Sequence, residues 1–298
     1  PLHITGIDWE SDQKGINVGG WGIRVKTEDM AKLGLLYLNK GKFEGKQILP
    51  AAWVEEATSK HIDQEPDATA EKRATGQYAD WIQGYGYQFW RSRHNSFRGD
   101  GAYGQYILMM PEQDAVLIIT SESQDLPDDL NQVWTNLLPA FQTKALPKNP
   151  KALAALKAFN SSRQLEAPVS SQANKPLNTE MILDKNPFDF AKMALKSNGD
   201  AATLTISTKD SSNHTFKLGF RKWGIGKSNL VGPYMLRAAR VDLAKKAPFD
   251  YAGSYRILDD QSIEITLRYF ESPHHWTMIW KANGLEVINS YEPNTKIE

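Results

Sequence analysis

Three places in this 298-residue chain carry residue types whose spacing could do chemistry. The first is Phe97-Arg98-Gly99-Asp100-Gly101-Ala102-Tyr103-Gly104-Gln105, a glycine-rich segment that leads into the apolar run Tyr106–Met110. A strand edge without Cβ atoms lets a ligand or another backbone approach closely. The second is Trp223-Gly224-Ile225-Gly226-Lys227-Ser228. Its Gly-Lys-Ser ending is that of a phosphate-cradling loop. The first glycine of such a loop would fall on Arg221, and no strand-to-helix pattern surrounds it, so a β-turn is expected. The third is His274-His275. Adjacent residues on a strand face opposite sides, and His3, His61, His94 and His214 lack ligand spacing, so no metal is expected. With no cysteine, disulfides and thiol chemistry are excluded, and no cofactor is expected.

The elements that must hold these residues follow from periodicity. Residues 1–22 read as glycine-rich loop. A helix is expected from Thr27 as N-cap, with Glu28 and Asp29 in its first turn, Met30, Leu33 and Tyr37 on one face and Gly41 as its stop. A second starts near Pro50, with Trp53, Val54 and Ala57 inward. Residues 60–80 are polar and irregular. Alternation at Tyr85, Tyr87 and Phe89 predicts a strand. Two further strands should form a hairpin around Pro111-Glu112-Gln113-Asp114. Leu130, Val133, Trp134, Leu137, Leu138 and Phe141 then make one helical stripe.

Residues 144–176 read as a connector: a short Ala/Leu helix opened by Pro150, then linker composition. Beyond it, strand patterns are expected at 202–208, 214–220, 230–240, 251–258, 262–270, 275–281 and 284–291. Seven short strands with little helix suggest a small antiparallel barrel or sandwich. The expected fold class is therefore α+β, in three parts: 1–143, a linker over 144–176, and an all-β domain over 177–298. Arg268, Tyr269, Glu271, His274, His275 and Trp276 form the last part's densest polar-aromatic cluster, read as packing before binding.

Net charge is zero, although residues 1–150 hold 15 basic and 20 acidic side chains and residues 151–298 hold 20 and 15. No global field argues for nucleic acid. No run of 18 apolar residues exists, so no membrane span is expected.

Residues 15–58, Gly84-Tyr85-Gly86-Tyr87-Gln88-Phe89-Trp90 and 99–120 together resemble the serine β-lactamase and penicillin-binding-protein family, in its class C β-lactamase and esterase branch. The shared pattern is a loop ending in a double glycine, a "T-x-D-x-A-K/R" helix, a tryptophan-bearing helix, an aromatic-glycine strand and a "G-x-G-x-x-G-Q" strand. It covers residues 1–143. The resemblance implies a partial β-lactamase-like antiparallel sheet with flanking helices, and acyl transfer through a serine nucleophile. It further implies that Gly99, Asp100, Gly101 and Ala102 form the oxyanion-side wall of the pocket. Gly99-Asp100-Gly101 would match the family's third motif, with the Ala102 N–H as oxyanion donor. That motif's usual Lys or His is Gly99 here, and Arg98 is expected to point to the opposite face, so an amide, ester or peptide substrate is favoured over a carboxylate-bearing β-lactam.

The family's other two motifs match in text only. Ser11-Asp12-Gln13-Lys14 lies in a polar loop before glycine, and Tyr37-Leu38-Asn39 lies inside an amphipathic helix. Neither is expected to be catalytic. The nucleophile and base would then reside on an N-terminal portion of the same domain outside this chain, which alone would be inactive. The substrate of the intact protein would be a small molecule or peptide, and its location periplasmic or secreted, both by resemblance. The competing expectation is a non-catalytic cell-envelope protein on the same scaffold, recognising glycan or peptide.

Overall fold

The computed structural model describes residues 1–233, 246–282 and 284–290. The chain forms two compact units, residues 1–10 with 17–148 and residues 11–16 with 149–298. The architecture is mixed α+β, with the second unit rich in strand.

In the first unit, β1 (Asp8–Trp9) pairs with β2 (Ile23–Arg24). Helix α1 (Thr27–Leu38) follows, with Lys26 rather than Thr27 in the cap position and no side-chain cap. Gly41, at φ 82°, ends it by donating to the Leu36 carbonyl at 2.7 Å. The helix lies close against the sheet at Gly34, where a Cβ would stand 2.5 Å from Val116 Cγ1 and 3.1 Å from Ile107 Cγ2. This contact rotates Leu33 outward, contrary to the expected inward face, and leaves it 37% exposed.

A two-residue ladder of β3 (Lys42–Phe43) and β4 (Lys46–Gln47) leads to α2 (Ala51–Thr58). Val54 and Ala57 are buried there, but Trp53 is 45% exposed and packs on Tyr87 at 5.7 Å. The irregular region holds α3 (Ala70–Thr75), capped by the Thr69 hydroxyl. The strand expected from Tyr85 to Phe89 does not form. Gly86 presses against the end of α2, where a Cβ would sit 2.3 Å from the Ala57 carbonyl oxygen, and the Tyr87 N–H donates to that oxygen at 2.9 Å. The segment thus satisfies a helix-end carbonyl and pairs only through isolated bridges of Tyr85 to Ile62 and Trp90.

A four-stranded antiparallel sheet runs β5 (Trp90–Arg91), β6 (Phe97–Gly101), β7 (Gln105–Met110) and β8 (Ala115–Ile119) in sequence order. The expected hairpin forms through a 3₁₀ turn at Pro111–Gln113 and a left-handed Asp114. Helix α4 (Leu126–Gln132), capped by Asp125, continues as a π-turn over Val133–Leu137. Leu130, Val133 and Trp134 pack on Tyr106, Leu108 and Met110. The wider π-turn carries Leu137 and Phe141 off that stripe, to 36% and 38% exposure.

The second unit opens with α5 (Pro150–Ser162). Its strands are β9 (Asn178–Ile182), β10 (Phe190–Asn198), β11 (Ala201–Thr208), β12 (Asn213–Phe220), β13 (Gly224–Ser228), β14 (Phe249–Ile257), β15 (Ile263–Tyr269), β16 (His275–Lys281) and β17 (Gly284–Asn289). They join in one sheet ordered β17-β16-β15-β14-β12-β11-β10-β9, with β13 also on β14. All pairs are antiparallel except β12 with β14. Strands β9, β10 and β13 add to the expected set. Of the pattern expected at 230–240, residues 230–233 are not strand and the rest lies outside the described residues.

Alternate residues of every strand from β10 to β17 except β13 enter one core that includes Leu195, Leu204, Phe216, Tyr255, Ile265, Met278 and Val287. β10 and β16 stand five places apart in the sheet, about 24 Å along a flat one. Yet the Phe190 and Trp276 rings are 5.8 Å apart. The sheet therefore curls around its own core as a barrel does. Residues 165–174, expected within a connector, are hydrogen-bonded along this sheet: Trp223 Nε1 donates to the Leu165 carbonyl, Ser170 Oγ to Ile257 and Asn174 to Gly199.

Candidate functional site

The glycine-rich strand β6 has two differently built faces. Phe97, Gly99 and Gly101 face one way; Arg98 and Asp100 alternate to the other. Arg98 is fully buried there, donating from Nε to Asp100 Oδ2 at 2.9 Å and from NH1 to the Asp80 carbonyl at 2.8 Å and to the Ser92 hydroxyl. Its guanidinium lies 4.6 Å from the Trp81 ring. It does point away from the Gly99 face, as the alternation predicts. Burial pushes the Asp100 carboxyl up from its ordinary range, while the Arg98 charge opposes that shift.

Beside this pair lies Asp80, also buried. It accepts from the Arg93 backbone N–H at 2.9 Å, from Arg93 Nε and NH2 at 3.0 and 2.7 Å, and from Trp134 Nε1 at 3.0 Å. These bonds tie the segment before β5, the β5–β6 loop and the π-turn after α4 to one carboxylate. Sequence reasoning missed Asp80 because no periodicity links positions 80, 93 and 134.

The backbone edge of β6 follows from its loop. The Ser92 N–H donates to the Ser96 carbonyl at 2.9 Å, making that a hydrogen-bonded pair. Alternation then turns the backbone groups of Arg98 and Asp100 away from β7. β5 covers Arg98 but stops there, opposite Trp90. Among the described residues no strand pairs with Asp100 on that side. A Cβ at Gly99 would meet only Ile107, at 3.8 Å, whereas one at Gly101 would lie 2.9 Å from Gln105 Cβ. Ala102 is exposed and opens the β6–β7 turn. Tyr103 and Gly104 complete that turn with φ of 62° and 80°. The Ser121 hydroxyl lies 2.8 and 2.9 Å from their carbonyl oxygens, and a Cβ on Gly104 would stand 2.2 Å from it. The open edge is thus fixed before Ala102 by Arg98–Asp100 and after it by Ser121.

The remaining candidates lie elsewhere. In Ser11–Lys14, Asp12 Oδ1 accepts from the Lys14 and Ile16 N–H groups, forming a polar turn. Tyr37 packs on Phe89 at 4.5 Å, and burial raises its phenol. Within Trp223–Ser228, Gly224–Ser228 is β13, a strand and not the expected turn. A Cβ on Gly226 would lie 2.5 Å from the Tyr251 hydroxyl and one on Gly224 2.7 Å from the Lys217 carbonyl oxygen, so the glycines permit close packing. Tyr269, His274 and Trp276 are buried. Among the described residues no group of three or more His, Asp and Glu is placed to hold a metal ion. A shallow groove of about 270 Å³ lies on the outer face of β9–β12, lined by Glu180, Lys192, Lys196, Thr203 and their neighbours.

No protein-family description and no curated protein matches this chain. Among solved structures it is similar to a protein of Bacillus anthracis assigned as a 6-aminohexanoate-dimer hydrolase. The identity is 23% and the TM-score 0.34, over 44% of this chain and 33% of that one.

Proposed function

We propose that the first unit contributes one wall of an acyl-serine hydrolase site of the β-lactamase-like class, cleaving an amide, ester or β-lactam. The observation that carries this reading is the open backbone edge at Asp100–Ala102, braced by Arg98 on one side and Ser121 on the other. A fixed backbone N–H is what a tetrahedral oxyanion requires, since a donor that need not reorganise stabilises developing charge best. In this reading Gly99, Asp100 and Gly101 form the pocket wall, the Ala102 N–H is one oxyanion donor, and the nucleophile and its base come from residues outside 1–298. The absence of a cation at Gly99, with Arg98 turned inward, favours a substrate that needs no carboxylate anchor.

The test uses the natural full-length protein, a fluorophosphonate probe and a fluorogenic ester or nitrocefin. Expected are covalent labelling of a serine outside residues 1–298 and measurable turnover. Ala102→Pro, which deletes the N–H, should lower kcat about 10²- to 10³-fold with the labelled serine still present. Failure of every serine-reactive probe would overturn the enzymatic reading.

A second reading is favoured by Gly99 standing where a cation is usual, together with the polar groove on β9–β12. It is a non-catalytic cell-envelope protein that binds glycan or peptide. It predicts binding of peptidoglycan fragments with no serine labelled.

A further inference from the structure

Residues 130–165 hold five cations, Lys144, Lys148, Lys151, Lys157 and Arg163, and not one Asp or Glu. This local excess is hidden in a chain of zero net charge. At its centre stands α5, and none of the thirteen residues of that helix is buried. At about 100° per residue, Leu153, Leu156 and Phe159 share one face with Ala152, Ala155 and the single polar residue Asn160. Lys151 and Lys157 stand just beyond the two borders of this face, roughly 40° from its outermost apolar residues. Arg163 caps it, its guanidinium 4.8 Å from the Phe159 ring.

A helix of this pattern ordinarily turns its apolar stripe to the core. Here Leu153, Leu156 and Phe159 are 52%, 55% and 56% exposed, and Leu146 and Leu165 on either side are 75% and 60% exposed. The helix is about 20 Å long, too short to cross a bilayer, and no helix among the described residues is long and apolar enough to do so. Its proportions are those of a helix that lies flat, with the stripe sunk among acyl chains and lysine stems reaching out to lipid phosphates.

We propose that α5 is an interfacial anchor that binds the surface of a membrane rich in anionic lipid. Cations on both borders of the stripe favour a planar boundary, apolar below and anionic at its rim, over a one-sided protein groove. The inference is independent of the proposed hydrolase site, because α5 shares no residue with it.

The whole chain is co-sedimented with vesicles of phosphatidylcholine alone and of phosphatidylcholine with phosphatidylglycerol in a 7:3 ratio. Binding to the anionic vesicles should be at least ~10-fold tighter and should fall away near ~1 M salt. Leu156→Glu and the pair Lys151→Glu/Lys157→Glu should each weaken it at least ~10-fold. Circular dichroism should stay unchanged and the melting temperature nearly so, because no residue of the helix is buried. Equal or absent binding to both vesicle types would overturn the proposal, as would binding that survives both variants. A dimer in solution that Leu156→Glu converts to monomer, without vesicle binding, would assign the stripe to a second copy of the chain and would also overturn it.

Discussion

Asp80 gathers four donor contacts from two residues, Arg93 and Trp134, inside a buried pocket. Removing it would leave the buried Trp134 indole N–H without its acceptor and the Arg93 guanidinium, which keeps Asn131 Oδ1 and the Ala74 carbonyl, without its counter-charge. Breaking such an arrangement from one side costs more than the net value of the pair. Asp80→Ala should therefore lower stability by about 3–5 kcal/mol in urea denaturation, and Asp80→Asn by less, because an amide oxygen still accepts from Trp134. Asp63 offers a contrasting case near the surface. Hydrogen bonds from Lys60 and then Arg73 hold its carboxyl at about 2, below the ordinary 3.8. The unfolded chain thus takes up the proton first as pH falls. The stabilisation is whole above about pH 4 and is lost as pH drops through about 2. Asp63→Asn should flatten that acid limb in a plot of melting temperature against pH, and added salt should shrink the difference. At this scale the glycine-rich character of β6 was legible, as a run of residue types. Asp80 was not, because its partners come together only in space.

Helix α1 meets the sheet at Gly34, and there the sequence pattern misleads. Periodicity placed Leu33 inward, but the closest approach is made by a residue with no side chain. Gly34→Ala gains about 1 kcal/mol of helix propensity and incurs overpacking of about 1–3 kcal/mol against the stiff Val116 side chain. Net destabilisation is expected. In a double-mutant cycle with Val116→Ala the two changes should be less costly together than their sum. Additive costs would show that the helix shifts freely. The hairpin of β7 and β8 was read correctly, since alternation and a Pro-initiated turn are local signals. The stretch 85–89 was not, since its aromatic alternation is that of a strand while Gly86 serves the end of α2. Similarly, Trp53 belongs to an inward stripe by spacing, yet packs outside on Tyr87.

Across the whole molecule, the second unit stands on one core enclosed by a curled sheet. Phe190 and Trp276 meet across that curl. Phe190→Ala should cost about 3–5 kcal/mol, seen as a fall in the unfolding midpoint of that unit. Thr203→Ala, at an exposed position of β11, should change it little. The sequence by itself determined the α+β class, the strand-rich character of the second half and most strand positions there, because alternation is written residue by residue. It also suggested, by resemblance, a pocket wall at Gly99, Asp100, Gly101 and Ala102. Only the tertiary structure decided how the sheet closes, since curling depends on which distant strands share a core. It alone opened one edge of β6, by ending β5 two residues after it begins. It alone left the stripe of α5 uncovered, because burial belongs to neighbours that a helical pattern does not name.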